Sequence, residues 1–176
     1  MRDQLRARLP LVLVVHGTRK FLDRVSGPIS AAVDESTTTL GDWYAAVRFW
    51  KPQVALFVNE STLLPVVVPF APGATVVDRF PASAATVFRA LGVSDAFVER
   101  EVAEMSEHRL ASTRHRSVVG VMNEFARPSE YSPASKGERD LVALSLWLAQ
   151  TPSSPLYGRH VSPDRELVAI AAQHSV

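Results

Sequence analysis

Two short stretches of the sequence combine residue types that could bind an anion or move a proton. The first is HGTRK, residues 16–20, where a histidine, a hydroxyl and two cations follow an apolar run. The imidazole of His16 could act as a general base near neutral pH, and Lys20 could stabilise developing negative charge. The alternative for His16 is a hydrogen-bonded structural role at a strand end. Gly and Lys before a helix also occur in phosphate-binding loops, but the complete G-x-x-x-x-G-K-[ST] pattern is absent.

The second stretch is TRHRSVVGVMNEFAR, residues 113–127. Arg116, Gly120, Asn123 and Arg127 recur at helical spacing and therefore share one face, whereas the apolar residues between them fall on the opposite face. Glycine costs about 1 kcal/mol relative to alanine inside a helix, which suggests a close approach at Gly120. Cations at the N-terminal end of a helix suit an anion. The alternative is a solvated helix face that follows a charged loop.

These patterns yield a set of candidate site residues. We expect Arg116, Asn123 and Lys20 to line one anion-accepting site, to which Thr18 adds a hydroxyl. His115 is a second candidate general base beside His16. Asn59 and Thr62 lie at the end of an apolar run, where they are either ligand contacts or ordinary turn residues.

Several standard sites are missing from the sequence. It contains no H-E-x-x-H, no G-x-S-x-G and no G-x-G-x-x-G pattern. It has no cysteine, which excludes disulfides and thiolate metal sites and fits a reducing cytoplasm. His108 and His115 have no acidic cluster between them that would complete a metal site. We therefore predict neither a metal nor a cofactor.

Composition indicates one soluble domain. The chain has 176 residues, of which 47% are hydrophobic and 21% charged, and its formal net charge is +1. Affinity for nucleic acid must then come from a local patch. The apolar run 11–15 is followed by His16 and two cations rather than a cleavage site, and nothing approaches the roughly 20 apolar residues that span a bilayer. We expect a cytoplasmic protein with no membrane partner, and a loose leader at 1–10 before one domain at 11–176.

The first half of the chain predicts strands. Residues 11–15 form an apolar strand, 18–25 a short helix and 30–39 a loop. Three further apolar runs, 43–50, 53–58 and 63–70, are separated by short polar turns and predict an antiparallel meander. Pro65 and Pro69 favour an edge position for the last of them.

The second half predicts helices. We expect them at 82–91 with Pro81 in the first turn, at 95–105 after a Ser94 cap, at 117–126 and at 138–150. A short strand is expected at 108–113, a loop at 127–137, an extended surface segment at 151–165 and a terminal helix to Ala172. The predicted class is α+β, a meander of about three to five strands packed against several helices.

Four stretches together resemble an uncharacterised family of small bacterial proteins, a domain of unknown function. HGTRKFLDRV, LGDWYAAVRFW, ALFVNESTLLPVVVPFAP and RSVVGVMNEFA are similar to its HCTKKL, LGDWYA, LLVNE-TLLPV and SVLGSMNDFA. The residues that correspond to the pattern are His16, Thr18, Lys20, Trp43, Asn59, Thr62, Arg116 and Asn123. Gly17 stands where the family has Cys, which argues against a thiol-based activity. The resemblance implies a fold unit and assigns no activity, cofactor or catalytic residue.

The sequence patterns are compatible with three functions. The preferred hypothesis is a binding module for an anionic ligand or nucleic acid in a regulatory, plasmid or defence setting, based on the basic stretch 109–116 and the cations after His16. The second is a small hydrolase or nuclease that uses His16 or His115 as general base. The third is a protein-interaction subunit with exposed aromatic residues such as Trp50 and Tyr157.

Overall fold

The computed structural model describes residues 11–31, 35–127 and 140–175, and the fold is stated for those residues. Their backbone forms one five-stranded sheet and six α-helices. The strands are β1 (Val12–Gly17), β2 (Trp43–Arg48), β3 (Val54–Asn59), β4 (Pro65–Pro69) and β5 (Glu107–Ser112). The helices are α1 (Arg19–Leu22), α2 (Val76–Ala90), α3 (Asp95–Ala103), α4 (Arg116–Ala126), α5 (Leu141–Ala149) and α6 (Pro163–Gln173). The predicted α+β class is confirmed.

Strands β2, β3 and β4 form the predicted antiparallel meander. Trp43 lies opposite Asn59 across β2 and β3, and Val54 lies opposite Pro69 across β3 and β4. The strand order is β4-β3-β2-β1-β5, so the strand with two prolines lies at an edge of the sheet. An edge tolerates proline because the missing N–H has no neighbouring strand to bond there.

Strands β1 and β5 extend the meander in parallel, so the sheet is mixed rather than purely antiparallel. Val15 of β1 pairs with Trp43 of β2, and Val12 pairs with Glu107 of β5. An apolar run predicts a strand but not its direction. Direction is set here by the long connections, because α2 and α3 occupy the crossover between β4 and β5.

Both faces of the sheet are covered, because successive side chains of a strand point to opposite sides. On one face, Leu13, Val15 and Trp43 pack with α1, α2, α3 and α6. On the other, Tyr44 and Leu56 pack with α4 and α5. The two layers of helices fix the positions of the strand ends that carry the polar candidate residues.

The helix α2 begins at Val76, earlier than the predicted residue Ala82. Pro81 therefore lies inside the helix and not in its first turn, where the ring leaves the carbonyl of Val77 without its helical N–H partner. Val76, Val77 and Phe80 are all buried. Packing of this apolar face against the sheet offsets the lost hydrogen bond, since tertiary contacts supply most helical stability in proteins.

Two other predictions of local structure were wrong in extent. The helix expected over 18–25 is limited to Arg19–Leu22. The segment 151–165 is not extended throughout, because it forms a 3-10 turn at Ser154–Leu156. This turn buries Leu156 among residues of α4 and α5. The Ser94 cap is confirmed, since its hydroxyl accepts the N–H of Phe97.

Some predictions fall on parts of the chain that are not described. Four predicted segments lie wholly or partly outside the described residues. They are the leader at 1–10, residues 32–34 of the first predicted loop, residues 128–137 of the next loop, and the first two positions of the helix expected from 138. Its described part begins after Asp140, whose carboxylate accepts the N–H of Ala143 at 3.0 Å. Within the described ranges, none of the helices has the length and apolar character needed to cross a membrane.

The packing of α5 on the meander predicts a measurable loss of stability. Ser145 accepts the N–H of Val67 on β4 at 2.9 Å, and Leu144 is 2% exposed in the apolar cluster that contains Val67. We expect Leu144→Ala to lower the free energy of unfolding by about 2–5 kcal/mol, because it removes buried methyl groups and leaves a cavity. Urea denaturation measures this. The control is Val168→Ala on α6, which is 43% exposed, and a loss no larger than that of the control would contradict the packing.

Candidate functional site

His16 and Asp42 form a buried pair beside the end of β1. His16 Nε2 lies 2.7 Å from Asp42 Oδ2, and His16 Nδ1 lies 2.9 Å from the carbonyl oxygen of Ser112. The side chains of His16 and Asp42 are 1% and 3% exposed. Both neighbours of the ring are acceptors, so both ring nitrogens must donate, which the doubly protonated imidazolium does. His16 therefore has no ring nitrogen left to accept a substrate proton.

Three donors hold the Asp42 carboxylate. Besides His16, the backbone N–H of Ser36 donates to Oδ1 at 2.8 Å and the guanidinium of Arg114 donates to Oδ2 at 3.1 Å. Burial alone would raise the pKa of Asp42, but the hydrogen bonds from His16 and Ser36 outweigh it and lower the pKa below 3.8. Asp42 is therefore ionised at neutral pH and joins β1 to the loop after β5.

Asn59 and Thr62 form hydrogen bonds that position the segment carrying Asp42. Asn59 Nδ2 donates to the carbonyl oxygens of Leu40 at 2.9 Å and Asp42 at 3.2 Å. Its Oδ1 accepts the N–H and the hydroxyl of Thr62, at 2.9 and 3.0 Å. Both residues are fully buried. These two predicted ligand contacts are thus occupied within the protein, where they tie the β3–β4 turn to residues 40–42.

Glu101 of α3 holds the same segment from another direction. Its two carboxylate oxygens accept the backbone N–H groups of Thr39 and Leu40, each at 2.9 Å. Burial raises the pKa of Glu101 above its ordinary value. Glu101 is not among the candidate residues predicted from the sequence. A signal was present, since Glu101 follows Phe97 and Val98 by four and three residues and so shares their buried helical face.

Tyr44 connects the buried pair to the surface. Its ring stacks on His16 with 4.8 Å between centroids, and its hydroxyl accepts the N–H of His115 at 3.2 Å. Burial raises the pKa of Tyr44, and the nearby charge of Glu60 adds to the effect. The phenol therefore stays protonated at neutral pH. His115 Nε2 lies 2.9 Å from Glu60 Oε1, and the His115 side chain is 52% exposed.

These groups open into a cleft of about 580 Å³, which we name the Asp42 cleft. It is lined by Glu35, Ser36, Thr38, Gly41, Asp42, Glu60, Ser61, Arg114 and His115. Carboxylates and cations are mixed in it, so it does not select anions by charge. Within the described residues, no group of three or more His, Asp or Glu side chains is placed to hold a metal ion. The chemistry available in the cleft is proton transfer by His115, with Glu60 fixing one ring nitrogen.

A second opening, which we name the basic groove, lies between the start of α1, the end of β2 and α4. Its volume is about 430 Å³, and it brings together the predicted ligand residues Thr18, Lys20 and Asn123. Arg19 and Arg48 also line it, and no acidic residue is among the described residues that do. Three of the predicted contacts therefore converge, in a site with a single sign of charge.

Arg48 is the most constrained cation of the basic groove. Its guanidinium donates to the carbonyl oxygen of Met122 on α4. Its Nε is buried without a hydrogen-bond partner among the described residues, and burial lowers its pKa. In the described part of the chain, Arg48 has no carboxylate partner within ion-pair distance.

Arg116 lines neither opening. As predicted, it lies with Gly120 and Asn123 on the exposed face of α4, opposite the buried apolar face. A Cβ added at Gly120 would meet no described atom within 4 Å, so the close approach expected there is not made within the protein. Of the aromatic residues suggested for protein contacts, Tyr157 is 62% exposed, whereas Trp50 packs in part against the α4 side of the sheet.

The comparison with protein families gives a match over most of the chain. A family model described as a domain of unknown function, DUF6933, matches residues 14–166. The chain belongs to the DUF6933 family. The matched range runs from β1 into α6 and contains both the Asp42 cleft and the basic groove. Neither the curated proteins nor the solved structures compared with the chain give a match.

Position 17 of this DUF6933 chain is directed away from both His16 and the Asp42 cleft. A Cβ at Gly17 would lie 2.6 Å from Leu22 Cδ2 and 2.8 Å from Phe21 Cδ1. Both neighbours belong to the apolar cluster on the α1 side of the sheet. At these distances a side chain at position 17 would fit only if Leu22 and Phe21 shifted. A cysteine there would face the apolar cluster and not the cleft, so it would not act as a nucleophile in the cleft.

The buried Asp42 carboxylate predicts a specific pH dependence. We expect Asp42→Asn to lower the free energy of unfolding at pH 7 by about 3 kcal/mol, because His16 and Arg114 lose their ionised partner. The folded pKa of Asp42 lies below 3.8, so its contribution is complete above pH 3.8 and is lost as the pH falls through the folded pKa. Urea denaturation from pH 7 downward should therefore show the difference from wild type shrinking in acid.

The matched control is Asp95→Asn, because Asp95 pairs with Arg89 while its side chain is 77% exposed. An exposed pair of this kind contributes about 0–1 kcal/mol. A difference between Asp42→Asn and wild type that is as small as the control's, or that stays constant into acid, would contradict the assignment of an ionised Asp42.

Proposed function

We propose that the protein binds a phosphate-bearing ligand in the basic groove. The observation that carries the proposal is Arg48, a partly buried guanidinium without a carboxylate partner in the described residues, beside the exposed cations Arg19 and Lys20. A desolvated and uncompensated charge is costly. An anion in the groove would offset that cost.

The chemistry of the lining favours phosphate among anions. Arg48 and Arg19 offer planar guanidinium donors, which suit the paired oxygens of a phosphate. Thr18 and Asn123 add a hydroxyl and an amide that can donate to the remaining oxygens. Because the formal net charge of the chain is only +1, the attraction must come from this local cluster and not from the overall field.

The position of the groove in the fold also supports a ligand site. β1 is followed by α1, which packs on one face of the sheet, and β5 is followed by α4, which packs on the other. The groove lies at the carboxyl ends of the neighbouring parallel strands β1 and β2, the edge at which open sheets usually bind ligands. Thr18 and Lys20 lie directly after β1, at this end.

Removal of the exposed cations should weaken binding of pyrophosphate. We expect addition of pyrophosphate to shift the amide resonances of residues 18–20 and 119–123 in a ¹⁵N-labelled sample. The double variant Arg19→Ala/Lys20→Ala should weaken the affinity at least tenfold, because about 1.5–3 kcal/mol attaches to each charged hydrogen bond. Higher salt should weaken binding further.

The matched control is Arg109→Ala/Arg165→Ala, which removes two exposed cations outside the groove and makes the same change in net charge. Equal weakening in both double variants would mean that overall charge, and not the groove, attracts the anion. Shifts spread over the whole surface would contradict the proposal in the same way.

A second candidate function is acid–base hydrolysis in the Asp42 cleft. It is favoured by one observation, the 2.9 Å contact between His115 Nε2 and Glu60 Oε1 at the cleft surface. A carboxylate that fixes one ring nitrogen directs the other toward a substrate. We assign this role to His115 rather than His16, whose two nitrogens are both occupied.

The hydrolase candidate predicts a rate that depends on His115. If bis-p-nitrophenyl phosphate is hydrolysed, His115→Gln should reduce kcat by roughly 10²-fold or more, the usual contribution of a general base. The control is His174→Gln, since His174 is exposed and bonds a backbone carbonyl at the end of α6. No hydrolysis above buffer, or equal rates in the two variants, would eliminate this candidate.

A further inference from the structure

Phe49 is the exposed aromatic residue of the basic groove. The chain has eight phenylalanines, of which seven are buried in the core while Phe49 is 57% exposed. A single exposed phenylalanine is common on protein surfaces. The surroundings distinguish this one, because Phe49 lines the groove together with Lys20 and Arg48.

Two cations lie close to the Phe49 ring. Lys20 Nζ is 5.7 Å and Arg24 Cζ is 5.8 Å from the ring centroid, within the range of cation–π attraction. Neither cation has a carboxylate within ion-pair distance in the described residues. Arg24 Cζ also lies 4.8 Å from the Phe70 ring, so Lys20 is the cation held by Phe49 alone. An aromatic platform beside such a cation matches the two parts of a nucleotide, a flat base and a charged phosphate. A base that displaces one cation from the ring leaves that cation free for the phosphate.

The exposed face of α4 carries further cationic and polar residues outside the groove. Asn123 lines the groove, and Arg116, Gly120 and Arg127 lie on the same helical face. Arg116 and Asn123 are about 10 Å apart along the helix axis at 1.5 Å per residue. Gly120 presents bare backbone between them. A phosphate backbone leaving the groove would therefore meet further cations along this face, with Glu124 as the acidic residue beside it.

Stacking on Phe49 requires an unpaired base. In a duplex the faces of the bases are already stacked on each other, whereas a single strand can turn a base outward onto an aromatic side chain. The groove volume of about 430 Å³ lies in the range of small-ligand pockets and accommodates one nucleotide-sized unit. These features favour a single strand over a duplex.

We infer that the basic groove takes single-stranded nucleic acid, with one base stacked on Phe49 and the adjacent phosphates on Arg19 and Lys20. This inference rests on the proposed phosphate-binding function and adds the base platform to it. It names the substrate class that phosphate binding alone leaves open. The two claims can fail separately, because the phosphate contacts involve Arg19 and Lys20 and the stacking involves Phe49.

Fluorescence anisotropy tests the inference with labelled oligo(dT), oligo(rU) and a duplex of equal length, using the full chain. We expect either single strand to bind more tightly than the duplex, and the tighter of the two identifies DNA or RNA as the ligand. Phe49→Ala should weaken single-strand binding about tenfold, since base–aromatic stacking contributes on that scale. Phe49→Trp should retain the affinity. The control is Tyr157→Ala, which removes an aromatic ring that is 62% exposed outside the groove.

The pyrophosphate titration separates the two claims. A loss of oligonucleotide affinity by Phe49→Ala that exceeds its loss of pyrophosphate affinity supports the inference, and the retained dispersion of its amide resonances shows that the variant is folded. If Phe49→Ala leaves oligonucleotide affinity unchanged while Arg19→Ala/Lys20→Ala lowers it, the stacking claim is wrong and the phosphate site stands. Duplex binding as tight as single-strand binding also overturns the inference. If neither pyrophosphate nor any oligonucleotide binds, both claims fail.

Discussion

The ionised carboxylate of Asp42, enclosed between His16, Ser36 and Arg114, is the interaction on which the arrangement of both openings depends. A buried charge is tolerated only when its partners compensate the lost hydration. Here the partners come from β1, from the segment before β2 and from the loop after β5. These parts of the chain must therefore meet at one point, and the start of α4 and the exit from β1 are positioned with them.

This constraint separates the polar residues of the chain into two groups. His16, Asn59 and Thr62 have the residue types of a ligand site, yet their side-chain polar atoms all form hydrogen bonds within the protein. In the described residues, the cations of the basic groove have no carboxylate within ion-pair distance. A cation without a carboxylate partner can form its ion pair with a bound anion instead. The proposed phosphate binding is therefore based on the cations of the basic groove, whose charge no carboxylate of the described residues compensates.

Local patterns were sufficient for part of the fold. The meander from β2 to β4 follows from apolar runs and short turns, and the two faces of α4 follow from helical spacing. The parallel directions of β1 and β5 could not be predicted, since they depend on two long connections, residues 18–42 between β1 and β2 and the crossover through α2 and α3 before β5. The early start of α2 was missed because Pro81 is typical of a first turn, and burial of Phe80 outweighs that preference.

Local sequence patterns also predicted only part of the candidate site. The sequence predicted that Lys20 and Asn123 share a site, and both line the basic groove, but it also placed Arg116 there, which lies elsewhere on α4. The partners of His16 were not predictable, because Asp42 is 26 residues away and Ser112 is 96 residues away along the chain. Such contacts are fixed by strand order and register rather than by any local motif.

The protonation of His16 tests most directly the claim that Asp42 is an ionised carboxylate paired with His16. Because both ring nitrogens face acceptors, Nδ1 and Nε2 should both carry a proton at pH 7. Long-range ¹H–¹⁵N correlation spectra of the histidine rings distinguish this imidazolium from the neutral tautomers. Two protonated nitrogens on His16 at pH 7, lost in Asp42→Asn, are the predicted result. A neutral ring with one unprotonated nitrogen in the wild type would contradict the ionised pair and the account of the site built on it.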